Sequence, residues 1–497
     1  MIKELWADLW RHSDDSSRDA TRGVLVVIIG RLAVKVIQFF RAVFLARLLF
    51  PEDFGLFALA SLALLLSDVI FQSGFNNALI YEKEDPKSYL DTVWTANILR
   101  NALLSAVLFF AAPLFALFFD APILVGLVRL ISLSLLIGGF ENVGIILFQK
   151  ELRFGKKFLL DTSLVLADAI VVVVAGFIFH NVWALVIGSV GNRIAAVALS
   201  FMFHPYRPRF EFNTKKLRHL FSYGKWVWMM GILTLLITKS DTIVLGKLFD
   251  PTQLGFYQHA TALALLPSLE IARVLGTVLF PFFAQIRDDR ARLSRVCARV
   301  LGMMSACVLP ASVGLFVLAV PAIDFVYGDR WLPSAPLLRI LLLLGVAKSL
   351  EHLLNSALLA SGAPRRSAEG LAIQGFFLAV LLLPLARLYG IAGVAMTVVT
   401  AQIAAETYLF LRAKKYVDFR LRDVARAVGI PLLASLGMYL SIAGLLSGGF
   451  FTGHAIFFAG ALLGGMTYIL LLYFLDRFLS GGELLTSLVS LRERIKR

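Results

Sequence analysis

The 497-residue sequence has little charge and few of the side chains that soluble chemistry relies on. Asp, Glu, Lys and Arg make up 16% of it, against about 25% in ordinary soluble domains. Only two cysteines occur, Cys297 and Cys307, in one apolar stretch. At about 100° per residue they fall on different sides of a helix, so they read as small packing residues and not as a disulfide. The seven histidines are scattered, and although Glu351 precedes His352 there is no His-Glu-x-x-His pair, so no metal site is expected. A Gly-x-x-x-x-Gly-Lys-Ser/Thr loop is lacking too, which excludes ATP hydrolysis by that device, and no Gly-x-Ser-x-Gly elbow offers a nucleophile. No cofactor and no enzymatic activity are expected. The first residues, MIKELWADLWRHSDDSSRDATR, contain no short apolar core ending in a small-residue cleavage site. No removable signal peptide is expected, and the first hydrophobic helix serves for targeting.

What the chain has in abundance is hydrocarbon. Apolar residues make up 59%, and the mean hydropathy is +0.81. Both exclude a soluble enzyme and a disordered chain. At about 20 apolar residues per span, this length holds about 12–15 spans. Apolar runs bounded by charge clusters, Gly and Pro predict fourteen helices, near 22–49, 53–80, 90–118, 122–149, 158–180, 182–203, 222–246, 254–284, 297–320, 335–361, 368–386, 390–411, 427–447 and 451–476. Alternating ten-residue segments do not dominate anywhere, which argues against a β-barrel. The expected fold is an all-α polytopic membrane protein.

The net charge is +15 and the pI about 9.9, a balance that would suit nucleic acid. Position decides otherwise. With the N-terminus inside, the inward intervals between helices hold 32 Lys and Arg, and the outward ones hold only Lys247, Arg330 and Arg387. This is the positive-inside pattern of fourteen spans with both termini cytoplasmic, and it removes nucleic acid as a partner. The remaining basic residues fall within helices, where a charge at mid-bilayer costs about 2.5–3.5 kcal/mol on the lenient insertion scale. Arg47, Arg193, Lys225, Arg299 and Arg339 lie near helix ends and can snorkel. Arg31, Lys35, Arg41, Arg100, Arg129, Lys239, Arg273 and Lys348 need another explanation.

The chain also repeats itself. Residues 45–57, LARLLFPEDFGLF, match residues 245–257, LGKLFDPTQLGFY, without gaps at an offset of 200. Leu45/Leu245, Leu48/Leu248, Pro51/Pro251 and Gly55/Gly255 are identical. Both copies lie at the outer end of an odd-numbered helix, so the repeats run in the same membrane direction. The expected organisation is a cytoplasmic segment 1–21, an N-lobe of six helices at 22–203, a cytoplasmic linker 204–221, a C-lobe of six helices at 222–411, a helix pair at 427–476 and a cytoplasmic tail 477–497. Parallel repeats of this kind are frequent in transporters, which hold substrate between lobes and alternate its access.

The stretch LARLLFPEDFGLFALASLALLLSDVIFQSGFNNALI, followed by DTVWTANIL, resembles the N-terminal signature of polysaccharide-export flippases, the Wzx/WzxC-like branch of the multidrug/oligosaccharidyl-lipid/polysaccharide (MOP) superfamily. The helix number and the lobes agree with that resemblance over essentially the whole chain. The resemblance implies a multi-pass protein of the bacterial inner membrane. Its activity would be to flip an undecaprenyl-pyrophosphate-linked oligosaccharide from the cytoplasmic to the outer leaflet by alternating access, for exopolysaccharide, O-antigen or capsule synthesis. Membrane lipid is a further partner, as are a polysaccharide polymerase and the export machinery. Related lipid II flippases have a cationic cavity for the pyrophosphate, but no shared motif transfers its positions here.

Candidate cavity residues come from the helical patterns. Arg31, Lys35, Gln38 and Arg41 span about 120° of the first helix. Such a face suits a pyrophosphate, through Arg forks and Lys point charges, or anionic head groups at the membrane surface. Asp68, Gln72 and Asn76 share one face of the second helix, for sugar hydroxyls or for interhelical hydrogen bonds. Arg100, Lys239 and Arg273 complete the expected substrate set. Asp161 and Asp168 are salt-bridge partners or protonatable sites, and Lys239/Asp241 and Glu270/Arg273 are similar pairs. The tenth helix carries Lys348, Glu351, His352 and Asn355 at i, i+3, i+4 and i+7, either a structural pair or a site that titrates with the proton gradient. Lys348, Glu351, His352, Asp168 and Glu270 are the expected coupling or gating residues.

Two other functions fit this composition. A cation-coupled multidrug exporter would need an acidic pocket, whereas the sharpest stripe is basic. A glycan polymerase or ligase would need a sizeable outer loop, and the longest outer connection expected is about 321–334.

Overall fold

The computed structural model describes residues 34–70, 87–151, 153–417, 421–448 and 453–479, without the side chains of 68, 70, 87, 88, 149, 154, 214–230, 269–278, 281 and 421. Regular structure among the described residues is entirely helical. Two compact units divide between Thr242 and Ile243. The first contains α1 (34–48), α2 (Pro51–Ile70), α3 (Lys87–Phe118), α4 (Leu124–Gly138), α5 (Phe154–Phe179), α6 (Val182–Phe203) and most of α7 (Thr214–Leu248). The second contains α8 (Pro251–Gln285), α9 (Arg290–Val317), α10 (Ser334–Ala360), α11 (364–389), α12 (391–413), α13 (Leu421–Ser447) and α14 (Ala455–Leu479). Among the described residues, seven helices are long and apolar enough to cross a membrane. One of them, Pro364–Ala413, is α11 and α12 counted together. At Gly390 its backbone takes φ 63° and ψ −144°, a region glycine enters readily and L-residues rarely do. The chain reverses there, and Thr397 donates to the Leu381 carbonyl across the hairpin. This is a polytopic all-α membrane protein.

The sequence repeat is a repeat of structure. Leu49 N donates to Leu45 O at 2.8 Å, and Phe249 N to Leu245 O at 3.0 Å. In each copy a helix closes on that bond, the chain turns for two residues, and proline opens the next helix. Proline suits this position because its missing N–H is one of the donors a helix start leaves unpaired. Leu45, Leu49, Leu245 and Leu254 are buried. In the first copy Phe50 N also donates to the Asp53 carboxylate at 2.8 Å, a return contact of the capping-box kind.

Two stretches depart from the sequence expectation. The helix expected over 122–149 ends at Gly138, because Asn142 interrupts it. Asn142 is fully buried; its side chain accepts from Gly144 N at 2.9 Å and donates to Tyr206 O at 2.8 Å. A 3-10 turn (Val143–Ile145) and a short helix (Ile146–Lys150) follow. The outer connection expected at 321–334 is structured as well, with a short helix Ala319–Tyr327 and a 3-10 turn Asp329–Trp331. Trp331 anchors it, fully buried with its ring 3.9 Å from that of His259.

The first half of the expected linker is a strap on the first unit. Tyr206 O–H donates to Asp91, and Arg209 N donates to the same carboxylate at 2.8 Å. Glu211 N donates to Thr95 Oγ1 at 3.0 Å, and Thr92 Oγ1 donates to Glu211 at 3.1 Å. Phe210 packs on Trp94 with ring centroids 5.0 Å apart. Burial and the Asp91 carboxylate push the Tyr206 hydroxyl up, so it stays a proton donor. Burial holds His204 below the ordinary imidazole range, in keeping with Nδ1 accepting from Tyr206 N at 3.2 Å.

Packing in the second unit uses small residues. A Cβ on Gly345 of α10 would meet the Ala264 carbonyl of α8 at 2.6 Å, backbone that cannot swing aside. Gly345→Ala is therefore expected to cost about 1–3 kcal/mol, read as a lower thermal unfolding midpoint in detergent. The C-terminal pair docks on α9, where Met438, Ile442 and Leu472 enclose Ala306 and Tyr468 O–H donates to the Ala306 carbonyl at 2.7 Å.

Candidate functional site

In the first unit, α1 carries Lys35, Gln38 and Arg41, all half-buried; Arg31 lies outside the described residues. Arg41 Nη1 stands 3.0 Å from Asp168 Oδ2 of α5, the side chains 29% and 18% exposed. Of the two roles open to Asp168, the ion pair is the one present, and it ties α1 to the middle of α5. Asp161 pairs with Lys157 one turn away on its own helix. Arg100 is half-buried on α3. The side chain of Asp68 and all of Gln72 and Asn76 lie outside the described residues, so the α2 face is not placed.

Arg129 of α4 lies over the Phe109 ring at 4.9 Å. Arg193, expected near a helix end, sits at the middle of α6, where it faces Glu141, just past α4, at 3.9 Å. Lys239 of α7 is half-buried, and Asp241 accepts from Thr242 N at 2.6 Å. Glu270 and Arg273 belong to α8, but their side chains lie outside the described set.

The most developed polar cluster is in the second unit. Lys348 Nζ donates to Glu351 Oε2 at 3.0 Å on α10. Gln402 of α12, 1% exposed, bridges two carboxylates with one amide nitrogen. It donates to Glu351 Oε2 at 2.9 Å and to Glu406 Oε1 at 2.9 Å. Its carbonyl accepts from Gln374 of α11 at 2.8 Å. Three helices thus meet on one amide. Glu406 is 4% exposed, and its Oε2 is buried with no hydrogen-bond partner among the described residues. His352 turns to the exposed side of α10.

The pairing of Lys348 with Glu351 was legible in the sequence; Gln402, Glu406 and Gln374 were not singled out. Their signal was available, since Gln402 and Glu406 are the polar pair at i, i+4 within VTAQIAAETYLF, a spacing that puts both on one face. Further toward the α11 N-terminus, Glu369 is held by Arg366 at 2.7 Å, Arg365 at 3.1 Å and the Tyr408 hydroxyl.

The cluster has one ammonium and two carboxylates, with Glu406 buried and the Lys348–Glu351 pair partly exposed. Fully ionised, it carries one uncompensated negative charge beside an open acceptor. That is the chemistry of a site for one small cation. Among the described residues no group of three or more His, Cys, Asp and Glu is arranged to hold a metal.

Residues 44–336 match the family described as "Polysaccharide biosynthesis protein". A relative in Escherichia coli, the lipopolysaccharide biosynthesis protein WzxC, is 27% identical over 318 residues, 64% of this chain and 65% of the relative. The succinoglycan biosynthesis transport protein ExoT of Rhizobium meliloti is 26% identical over 335 residues, 66% of each chain. The chain thus spans slightly under two-thirds of the length of these relatives. Among solved structures, the lipid II flippase MurJ in an inward closed conformation superposes with a TM-score of 0.76 at 19% identity, covering 92% of this chain and 99% of MurJ. An inward-facing multidrug resistance transporter of the MATE family in the MOP superfamily gives 0.57 at 15% identity, covering 78% of this chain and 97% of that one. At these identities the structural likeness is one of fold.

Proposed function

The chain belongs to the polysaccharide biosynthesis protein family, and from that premise we propose that it flips a lipid-linked oligosaccharide, carried on undecaprenyl pyrophosphate, across the bacterial inner membrane by alternating access. The family match over residues 44–336 carries the reading. The names of the relatives, a lipopolysaccharide biosynthesis protein and a succinoglycan transport protein, and a fold shared with a lipid II flippase support it. In this reading the lobes 22–203 and 222–411 are the moving bodies, 427–476 is an added pair, and both termini are cytoplasmic.

The cationic face of α1 suits a pyrophosphate, whose acceptor oxygens take Arg forks and Lys point charges. In this reading Arg31 and Lys35 grip the pyrophosphate, beside Arg41 and its partner Asp168, with Arg100, Lys239 and Arg273 as further cations and Gln38, Asp68, Gln72 and Asn76 for sugar hydroxyls. The cluster of Lys348, Glu351 and Glu406 supplies the coupling step by taking up one cation, H⁺ or Na⁺, with Glu270 and His352 as secondary candidates.

Exchanging Arg31 and Lys35 together for Gln is expected to abolish surface polysaccharide while leaving protein level and membrane insertion intact. A leaflet-accessibility assay with a lipid-linked oligosaccharide in vesicles should show the same loss. Normal export and flipping by the double variant would overturn the assignment.

A further inference from the structure

Along the side of the second unit runs a groove of about 450 Å³ between α9, α10 and α12, lined by Phe316, Ile340, Leu343, Met396, Val399 and Thr400. Its walls face outward: Leu343 is 57% exposed, Phe316 43% and Met396 40%. In a membrane-spanning chain such a face meets lipid. One charged residue lines it as well, Arg339.

Arg339 is half committed. Its Nε donates to the Phe316 carbonyl at 3.2 Å, and its guanidinium lies 5.9 Å from the centre of the Phe316 ring. Those contacts fix the plane of the fork and use one of its five N–H groups. The others have no protein partner among the described residues. Arg339 is the sixth residue of α10, about 7.5 Å along the axis from its first residue, so it sits near the depth of lipid phosphates and well away from the bilayer centre. The charge bias of the connections puts this helix end on the outer side.

The same device stands in the first unit. Arg129 is the sixth residue of α4, lies 4.9 Å over a phenylalanine of the preceding helix, and has its Nε buried without a hydrogen-bond partner among the described residues. Two independently packed units thus place an arginine at one helical position and support it on an exposed phenylalanine ring of an earlier helix. Holding an unpaired fork beside hydrocarbon is costly, which a phosphate relieves by accepting two parallel N–H bonds.

We propose that the groove beneath Arg339 binds an anionic phospholipid, the phosphate on the guanidinium and one acyl chain along Ile340, Leu343 and Met396. The charge of the fork selects the head group, and the apolar groove selects the chain. This lipid is a resident of the protein's flank and does not depend on the flipping reading.

Native mass spectrometry of the full chain in detergent, titrated with phosphatidylglycerol or phosphatidylcholine, tests it. The wild type is expected to retain phosphatidylglycerol at least threefold more than phosphatidylcholine. Arg339→Gln should lower that retention at least fivefold, and so should Leu343→Trp, which fills the groove without touching the charge. Arg387→Gln, at an exposed arginine near the C-terminal end of α11, should leave it unchanged. Thermal unfolding of each variant without lipid identifies any that has failed to fold; if Arg339→Gln is such a variant, Leu343→Trp alone decides. Equal retention by wild type and Leu343→Trp, no preference between the two lipids, or displacement by millimolar inorganic phosphate would each overturn the proposal.

Discussion

Gln402→Leu is expected to destabilise the protein by about 2–4 kcal/mol and to stop transport. An ordinary interhelical hydrogen bond in a membrane protein averages about 0.6 kcal/mol, too little to notice. Gln402 is different in what its loss leaves behind. It is fully buried and makes three bonds at once, two of them to carboxylates. Leucine would fill the space and leave Glu351 and Glu406 facing each other without the bridging N–H groups, and a buried charged acceptor without a donor costs more than a neutral bond is worth. Glu406→Gln is the informative companion. Its amide oxygen still accepts from Gln402 while one negative charge disappears, so the fold should hold within about 1 kcal/mol. Its flipping should lose any dependence on an imposed H⁺ or Na⁺ gradient. Thermal unfolding and a vesicle assay read the two quantities separately. A Gln402→Leu protein as stable as wild type would remove the cluster from consideration.

Arg41→Leu should cost about 2–4 kcal/mol, and Arg41→Leu/Asp168→Leu should recover most of it. Removing one partner of a pair leaves the other charge alone, whereas replacing both by apolar groups of similar volume is often neutral. The estimate lies below the fully buried range because the two side chains keep 29% and 18% exposure. Export by the double variant separates structure from chemistry. A stable, active double variant makes the pair a strut between α1 and α5. A stable, inactive one gives Arg41 a second duty toward substrate.

Two ion pairs show what the sequence made legible. That Arg41, Asp168, Lys348 and Glu351 are anomalies follows from composition alone, because each sits in a run of apolar residues. Which anomaly meets which does not, since Arg41 and Asp168 are 127 positions apart and only the packing of α1 on α5 joins them. The fold was far more legible than the site. Hydropathy and the alternation of basic connections count helices well, and the Leu-x-x-Leu…Pro…Gly repeat marks corresponding turns. Breaks inside an apolar run are harder, as at Asn142, where one buried amide 62 to 64 residues from its carbonyl partners ends a helix that composition would continue. The connection at 321–334 read as a loop for the opposite reason: its order comes from Trp331, whose burial depends on His259 and Phe256 of another helix.

The strap formed by residues 204–213 has a consequence for the order of synthesis. Asp91, Thr92, Thr95 and Asn142 leave the ribosome early, and their bonds to residues 206–211 wait until the segment after α6 appears. The first unit therefore cannot finish one of its ends with α1–α6 alone. It waits for ten residues that hydropathy assigns to a connector, and translation must pass Asn213 before that half of the protein is whole.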